Sequence, residues 1–263
     1  MSVYLVALSN SAAAPALRSV LAEVETGRDL SAAEVLSLGP LTAIACNVVA
    51  PEIRPNRRNL LAHMRLLETA QKVAEVLPVR FGQVFEDADD LAEGIAPRVG
   101  AIQSEIARLS GKSEIAVRVS ANRDRTIASL AQSHPDLKSL YGTISAKGAA
   151  GHFELIELGR KVGQHLKGWR DAAEDHLLDF LRPAADECQV DPPAEDIEIL
   201  RADFLIPTTG LEAFEAVLSE ALLELPHTSS EDVVARIVGP VPACRFVKLE
   251  FSQGAAPVLG SAA

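Results

Sequence analysis

Six histidines, three cysteines and several carboxylate clusters are the side chains of this 263-residue chain with the means to do chemistry. Each chemistry demands its own spacing. A protein zinc site takes three or four ligands converging on one point. His165 and His176 are separated by about three helical turns, too far to share an ion without further ligands. His152 stands near an expected helix start. His176 falls on an apolar stripe and reads as a packed residue. No HExxH, CxxC, GxSxG or phosphate-loop pattern occurs. Asp87, Asp89 and Asp90 suggest calcium, but a loop of the EF-hand kind counted from Asp87 requires Gly and Glu where this chain has Ala92 and Arg98. Carboxylates there suit a helix N-terminus, where they complement the backbone dipole. The remaining acid–base candidates are His63, Glu68 and Arg80. Residues five apart on a helix point about 140° apart, so His63 and Glu68 diverge. The expected alternative has Arg80 tying a strand end to a carboxylate or backbone carbonyl while Phe81 packs. No catalytic residue, metal or cofactor is expected.

The elements that would carry these residues repeat one order. In the first passage, residues 3–8 read as a strand and 15–25 as an amphipathic helix. Residues 35–38 and 42–49 read as strands joined at Gly39-Pro40. Asn56 is placed to cap a helix running to about residue 73, with Leu60, Met64, Leu67 and Gln71 on one face. Residues 76–81 form a further strand ended by Gly82. Residues 87–109 are expected to be one connecting helix, stopped at Gly111.

The second passage has a strand at 113–119, a helix at 122–132, a loop at 133–151 and a long helix from 152 to about 188. Its stripe is Leu155, Leu158, Val162, Leu166, Trp169, Ala173, His176 and Phe180. Strands at 197–201 and 203–207, a helix at 211–225 and strands at 233–238 and 245–251 follow. Both passages read β-α-β-β-α-β, so the expected fold is α+β, two ferredoxin-like (split β-α-β) domains joined by a helix, the second with an inserted helix and loop. The boundaries are 1–110, 111–251 and a flexible tail at 252–263, rich in Gly, Ala, Ser and Pro.

Composition narrows the function. Hydrophobic residues make up 48% and charged residues 23%, which is globular rather than disordered. The net charge is −11, of which −3 falls in residues 1–110 and −8 in 111–263. That balance opposes nucleic acid and anionic membranes, both of which select Lys and Arg. Cys46, Cys188 and Cys244 are scattered among apolar neighbours and read as buried free thiols of a reducing compartment. Residues 1–8 are apolar but lack a basic region and are too short for a secretory signal, and no apolar run is long enough to span a bilayer.

The run Pro78-Val79-Arg80-Phe81-Gly82-Gln83-Val84-Phe85 resembles the signature of the gas vesicle protein F/L family (GvpF/GvpL), with His63 on the preceding helix. Leu109-Ser110-Gly111-Lys112-Ser113-Glu114 is similar to the family's L-x-G-K-x-E step. Gly239-Pro240-Val241-Pro242-Ala243-Cys244-Arg245-Phe246 resembles its G-P-x-P-P-Y-x-F turn, with Ala243-Cys244 in place of Pro-Tyr. Tyr4 in the opening strand is also family-like. The matches run in order over nearly the whole chain.

The resemblance implies a cytoplasmic gas vesicle accessory protein, not an enzyme, that binds the major shell protein and assists nucleation or assembly, with other gas vesicle accessory proteins as further partners. The motif positions His63, Pro78, Arg80, Phe81, Gly82, Gly239, Pro240, Pro242 and Phe246 are then expected to be structural. The competing classes are a small-ligand sensor or enzyme on ferredoxin-like domains, which needs a buried His63–Glu68–Arg80 cluster, and a nucleic-acid module, which the charge and the 4% aromatic content oppose.

Overall fold

A computed structural model describes residues 1–26, 29–49, 52–147, 152–225 and 230–249. The chain forms two compact units. One comprises Met1–Glu114 with Val241–Ala263, the other Ile115–Pro240. The expected division had kept 241–251 with the second domain. The segment from Val241 groups with the first unit instead, for reasons visible in its hydrogen bonds below. The expected flexible tail lies outside the described residues.

In the first unit, β1 (Ser2–Asn10), α1 (Ala14–Leu21), β2 (Ala33–Leu38), β3 (Leu41–Val48), α2 (Arg57–Gln71) and β4 (Val76–Pro78) follow in order. The sheet order is β2-β3-β1-β4, with β1 antiparallel to β3 and β4. A short β5 (Val84–Phe85) also pairs with β1. Val3 to Leu8 are all buried, because β1 is covered on both faces. Leu17 and Leu21 of α1 and Ala62, Leu66, Leu67 and Ala70 of α2 pack with Tyr4, Val6, Ile44 and Cys46. The buried face of α2 runs through Asn59, Ala62, His63, Leu66, Leu67 and Ala70; of the expected face, Leu67 is buried and Met64 packs at the margin of the core, Gln71 is half-buried and Leu60 is exposed. Both sets have helical spacing. The observed set uses smaller residues and a histidine, which allow close approach to the sheet.

The expected single connecting helix is two. α3 (Ala88–Ile95) and α4 (Val99–Leu109) are separated by a 3-10 turn at Ala96–Arg98, where Pro97 interrupts the hydrogen-bond ladder. The Asp87 carboxylate accepts from the amides of Asp89 and Asp90, and the Asp90 carboxylate accepts from that of Glu86. These bonds satisfy helix-end donors and give the acidic cluster its role.

In the second unit, β6 (Lys112–Ala121), which begins before the division, is followed by α5 (Arg123–Ser133), α6 (Pro135–Lys147) and α7 (His152–Leu181). Then come β7 (Glu187–Val190), β8 (Glu198–Pro207), α8 (Leu211–Leu223) and β9 (Val233–Val241). The sheet order is β7-β8-β6-β9, the same permutation as in the first unit. Ile115, Val117 and Val119 alternate onto one face and meet Trp169, Leu177, Phe204 and Phe214.

Four expectations fail here. The loop at 133–151 contains helix α6, since Pro135 at its first position surrenders no hydrogen bond and Leu137 is fully buried. α7 ends at Leu181 rather than near 188, at a 3-10 turn containing Pro183, and Cys188 lies in β7. The two strands at 197–207 are one, β8, because Ala202 fits the buried row between Leu200 and Phe204. Residues Cys244–Phe246 form a 3-10 turn, not the start of a strand. Residues 250 and 251 of that expected strand lie outside the described residues.

Candidate functional site

The first family-like motif follows β4 and is stitched along β1. The Val79 amide donates to Val6 O at 3.0 Å and the Leu5 amide donates to Gln83 O at 2.9 Å. Between these bonds the chain loops out, and Gly82 takes φ 100°, a conformation that L side chains rarely adopt. The loop brings Phe81 down onto two buried rings. Tyr4, Phe81 and His63 form a closed trio with ring centroids 5.6 to 5.8 Å apart, all edge-to-face.

The polar edges of this trio are matched. Tyr4 Oη lies 2.7 Å from His63 Nδ1. Burial pushes the Tyr4 hydroxyl well above its ordinary range, against a smaller opposing effect of a hydrogen bond from the Gly82 backbone. The phenol therefore stays protonated and donates to Nδ1. Burial pulls His63 down to about 4, partly opposed by a hydrogen bond to the Val79 backbone. The partners thus assign the ring proton to Nε2 of a neutral imidazole. His63 is 4% exposed and both its nitrogens are engaged within the fold. A base held this way has neither a vacant lone pair nor access to a substrate.

The other two candidates lie apart from it. Glu68 and Arg80 are both exposed. Arg80 has no ion pair or hydrogen bond among the described residues, contrary to the expected tie to a carboxylate or carbonyl, whereas Phe81 packs against the core as expected. A small surface depression of about 70 Å³ lies elsewhere, against Val3, Glu34, Leu36 and Ala45.

The second and third motifs meet each other. The Arg245 amide donates to the Glu114 carboxylate at 2.9 Å, joining the last residue of the L-x-G-K-x-E step to the C-terminal turn. Arg108 donates to Phe246 O, and the Lys248 amide donates to Glu105 at 2.7 Å. Glu105 and Arg108 are also paired, at 2.7 Å. Phe246 and Ala243 are buried, and Cys244 packs against the core that holds Tyr4. Gly239-Pro240 is a cis peptide with Gly239 at φ 133°, and Pro242 is buried. These bonds hold residues 241–249 to the first unit.

Most of the motif residues thus lie within one compact unit, while Gly239 and Pro240 belong to the other. A family model described as "Gas vesicle synthesis protein GvpL/GvpF" matches residues 2–248. The chain belongs to that family.

Relatives and solved structures agree with the GvpL/GvpF assignment. Gas vesicle protein F of a Streptomyces species is 26% identical over 216 residues, covering 81% of this chain and 87% of the relative. Gas vesicle protein F of a Nostoc species is 28% identical over 180 residues, covering 67% of this chain and 71% of the relative. The crystal structure of GvpF from Anabaena superposes with a TM-score of 0.75 at 21% identity, covering 95% of this chain and 99% of that one. The GvpF structure from Microcystis aeruginosa gives 0.69 at 19% identity, covering 94% and 99%. At those identities the structural likeness concerns the fold, which is α+β.

One cluster escaped the sequence reading. His134, Asp136 and His165 offer ligand atoms within 4.8 Å of one another. The sequence spacing relates His165 only to His176. The available signal was the H-P-D run at 134–136, but it fell in a segment read as loop, and nothing in the sequence sets its distance from α7.

Proposed function

We propose that this protein is a cytoplasmic accessory factor of gas vesicle assembly that binds the major shell subunit and keeps it competent for nucleation or growth of the shell. The observation that carries this reading is the family match, which spans residues 2–248 and so draws on both units. A shell subunit with large apolar surface needs a partner that covers it before assembly, and such a partner gains nothing from a catalytic pocket. The enzyme or sensor alternative is weaker, because His63 is committed to Tyr4 while Glu68 and Arg80 stand in solvent.

An open strand edge suits an apolar partner, since main-chain bonds supply affinity and alternate side chains supply specificity. In the less acidic first unit, β2 is the terminal strand of the sheet and pairs with β3. Glu34 and Ser37 on it are exposed, and Arg18 of α1 donates to the Val35 carbonyl at 3.3 Å, occupying one acceptor of that strand. Two exposed apolar side chains elsewhere, Val234 and Val238 on β9, make the second unit's edge the rival surface.

The test is capture of the shell subunit by the intact chain, with Glu34→Lys and Ser37→Lys as edge-blocking changes. Weakened capture by these variants, with an unchanged melt, supports the β2 edge. Capture unaffected by them removes the β2 assignment. No capture by the intact chain, in conditions that keep the subunit soluble, removes the function itself.

A further inference from the structure

We propose that His134, Asp136 and His165 form a binding site for a zinc-like divalent transition cation that staples α6 to α7. His134 is held by both helices that it joins. Its amide donates to Leu130 O at 3.0 Å, closing α5, and its carbonyl accepts from the Lys138 amide at 3.2 Å, opening α6. Pro135 follows, with its backbone torsion restricted by the ring. Asp136 then lies in the first turn of α6 and reaches His165 in the middle of α7. Three donors of the types zinc prefers therefore come from a fixed corner and the helix packed beside it.

The spacing suits an ion. Two ligand atoms each about 2.0–2.1 Å from a tetrahedral ion stand about 3.3 Å apart. His165 Nε2 and Asp136 Oδ2 are 3.2 Å apart. The His134 and His165 rings stack with centroids 3.9 Å apart and planes inclined by 27°. Cation entry turns both ring edges toward the carboxylate, a rotation open to half-buried side chains. Solvent supplies the fourth ligand of such a three-ligand site.

Without a metal, the carboxylate is already a cation receptor. Lys161 Nζ is 3.3 Å from Asp136 Oδ2. Lys161 therefore competes with a metal for the same oxygen. Hard cations such as Mg²⁺ and Ca²⁺ are poorly matched, because they require more oxygen ligands than one carboxylate offers.

The experiment uses the full chain, stripped with EDTA and dialysed. Zn²⁺ is titrated by calorimetry, and Co²⁺ is followed by its visible absorption. The expected result is one equivalent of Zn²⁺ bound, a melting temperature raised by Zn²⁺, and no such effect of Mg²⁺ or Ca²⁺. His134→Ala, His165→Ala and Asp136→Asn should each weaken Zn²⁺ binding by more than about tenfold. Lys161→Met should tighten it, and the exposed His152→Ala should leave it unchanged. Circular dichroism checks that each variant is folded, and Asp136→Asn preserves the start of α6 if a histidine change disturbs it. No saturable Zn²⁺ binding below about 1 mM, or binding indifferent to the changes at 134, 136 and 165, overturns the proposal.

Discussion

Tyr4 and His63, 59 residues apart in sequence, share a hydrogen bond of 2.7 Å in the core of the first unit. The bond joins the central strand to the helix above it, and Phe81 closes the pair from the loop that follows β4. Removing the phenol oxygen in Tyr4→Phe leaves Nδ1 of His63 buried without a donor. That change should cost about 1–3 kcal/mol of stability, measured by denaturant unfolding. A loss below about 0.5 kcal/mol would mean that the histidine finds another donor or solvent.

His63 also sets a pH dependence. Its folded value is about 4 against 6.5 for the unfolded chain, so the unfolded state binds the extra proton between these values. Stability is full above pH 6.5 and declines as pH falls toward 4, by at most roughly 3 kcal/mol from this group. Unfolding midpoints of the protein and of His63→Gln, taken between pH 4 and 7, should differ in slope over that window. Parallel curves would show that His63 does not titrate there.

Arg80 is exposed and unpaired among the described residues. Arg80→Ala should leave stability within about 0.5 kcal/mol of the parent. Capture of the shell subunit is then the informative measurement, since a lost interaction with an unchanged melt marks a recognition residue. A melt lowered by several degrees would mean that the guanidinium has a structural partner.

Glu105 and Glu114 fasten the C-terminal segment. Burial raises the Glu105 carboxyl, but hydrogen bonds from Arg108 and the Lys248 amide prevail and leave it below the usual 4.5. Its contribution is present above pH 4.5 and is lost as pH falls through the lower folded value. Glu114→Ala should cost about 1–3 kcal/mol. Hydrogen exchange should quicken at the Arg245 amide, which Glu114 accepts. Unchanged protection at that amide would disprove the clip.

Asp87 caps α3 through two amides, each 2.9 Å away. Asp87→Ala should destabilise the chain by about 1 kcal/mol. Asp87→Asn, which retains a cap oxygen, should recover most of the loss in a thermal melt.

The sequence by itself determined what depends on neighbours along the chain. The opening strand read at residues 3–8, the Asn56 and Asp87 caps and the α+β class follow from alternation, helical period and short-range hydrogen-bonding chemistry. The family was legible too, because the residues around Pro78, Glu114 and Phe246 keep a recognisable order. Tertiary structure decided what depends on partners distant in sequence. Helical spacing could not choose between the Leu60 and His63 faces of α2, since that choice belongs to Tyr4 and the sheet. It could not bind residues 241–249 to the first unit, because the clips at Glu105, Arg108 and Glu114 lie more than a hundred residues upstream. Nor could it bring His134 and Asp136 to His165, because a turn between packed helices sets that distance and only the packed chain contains it.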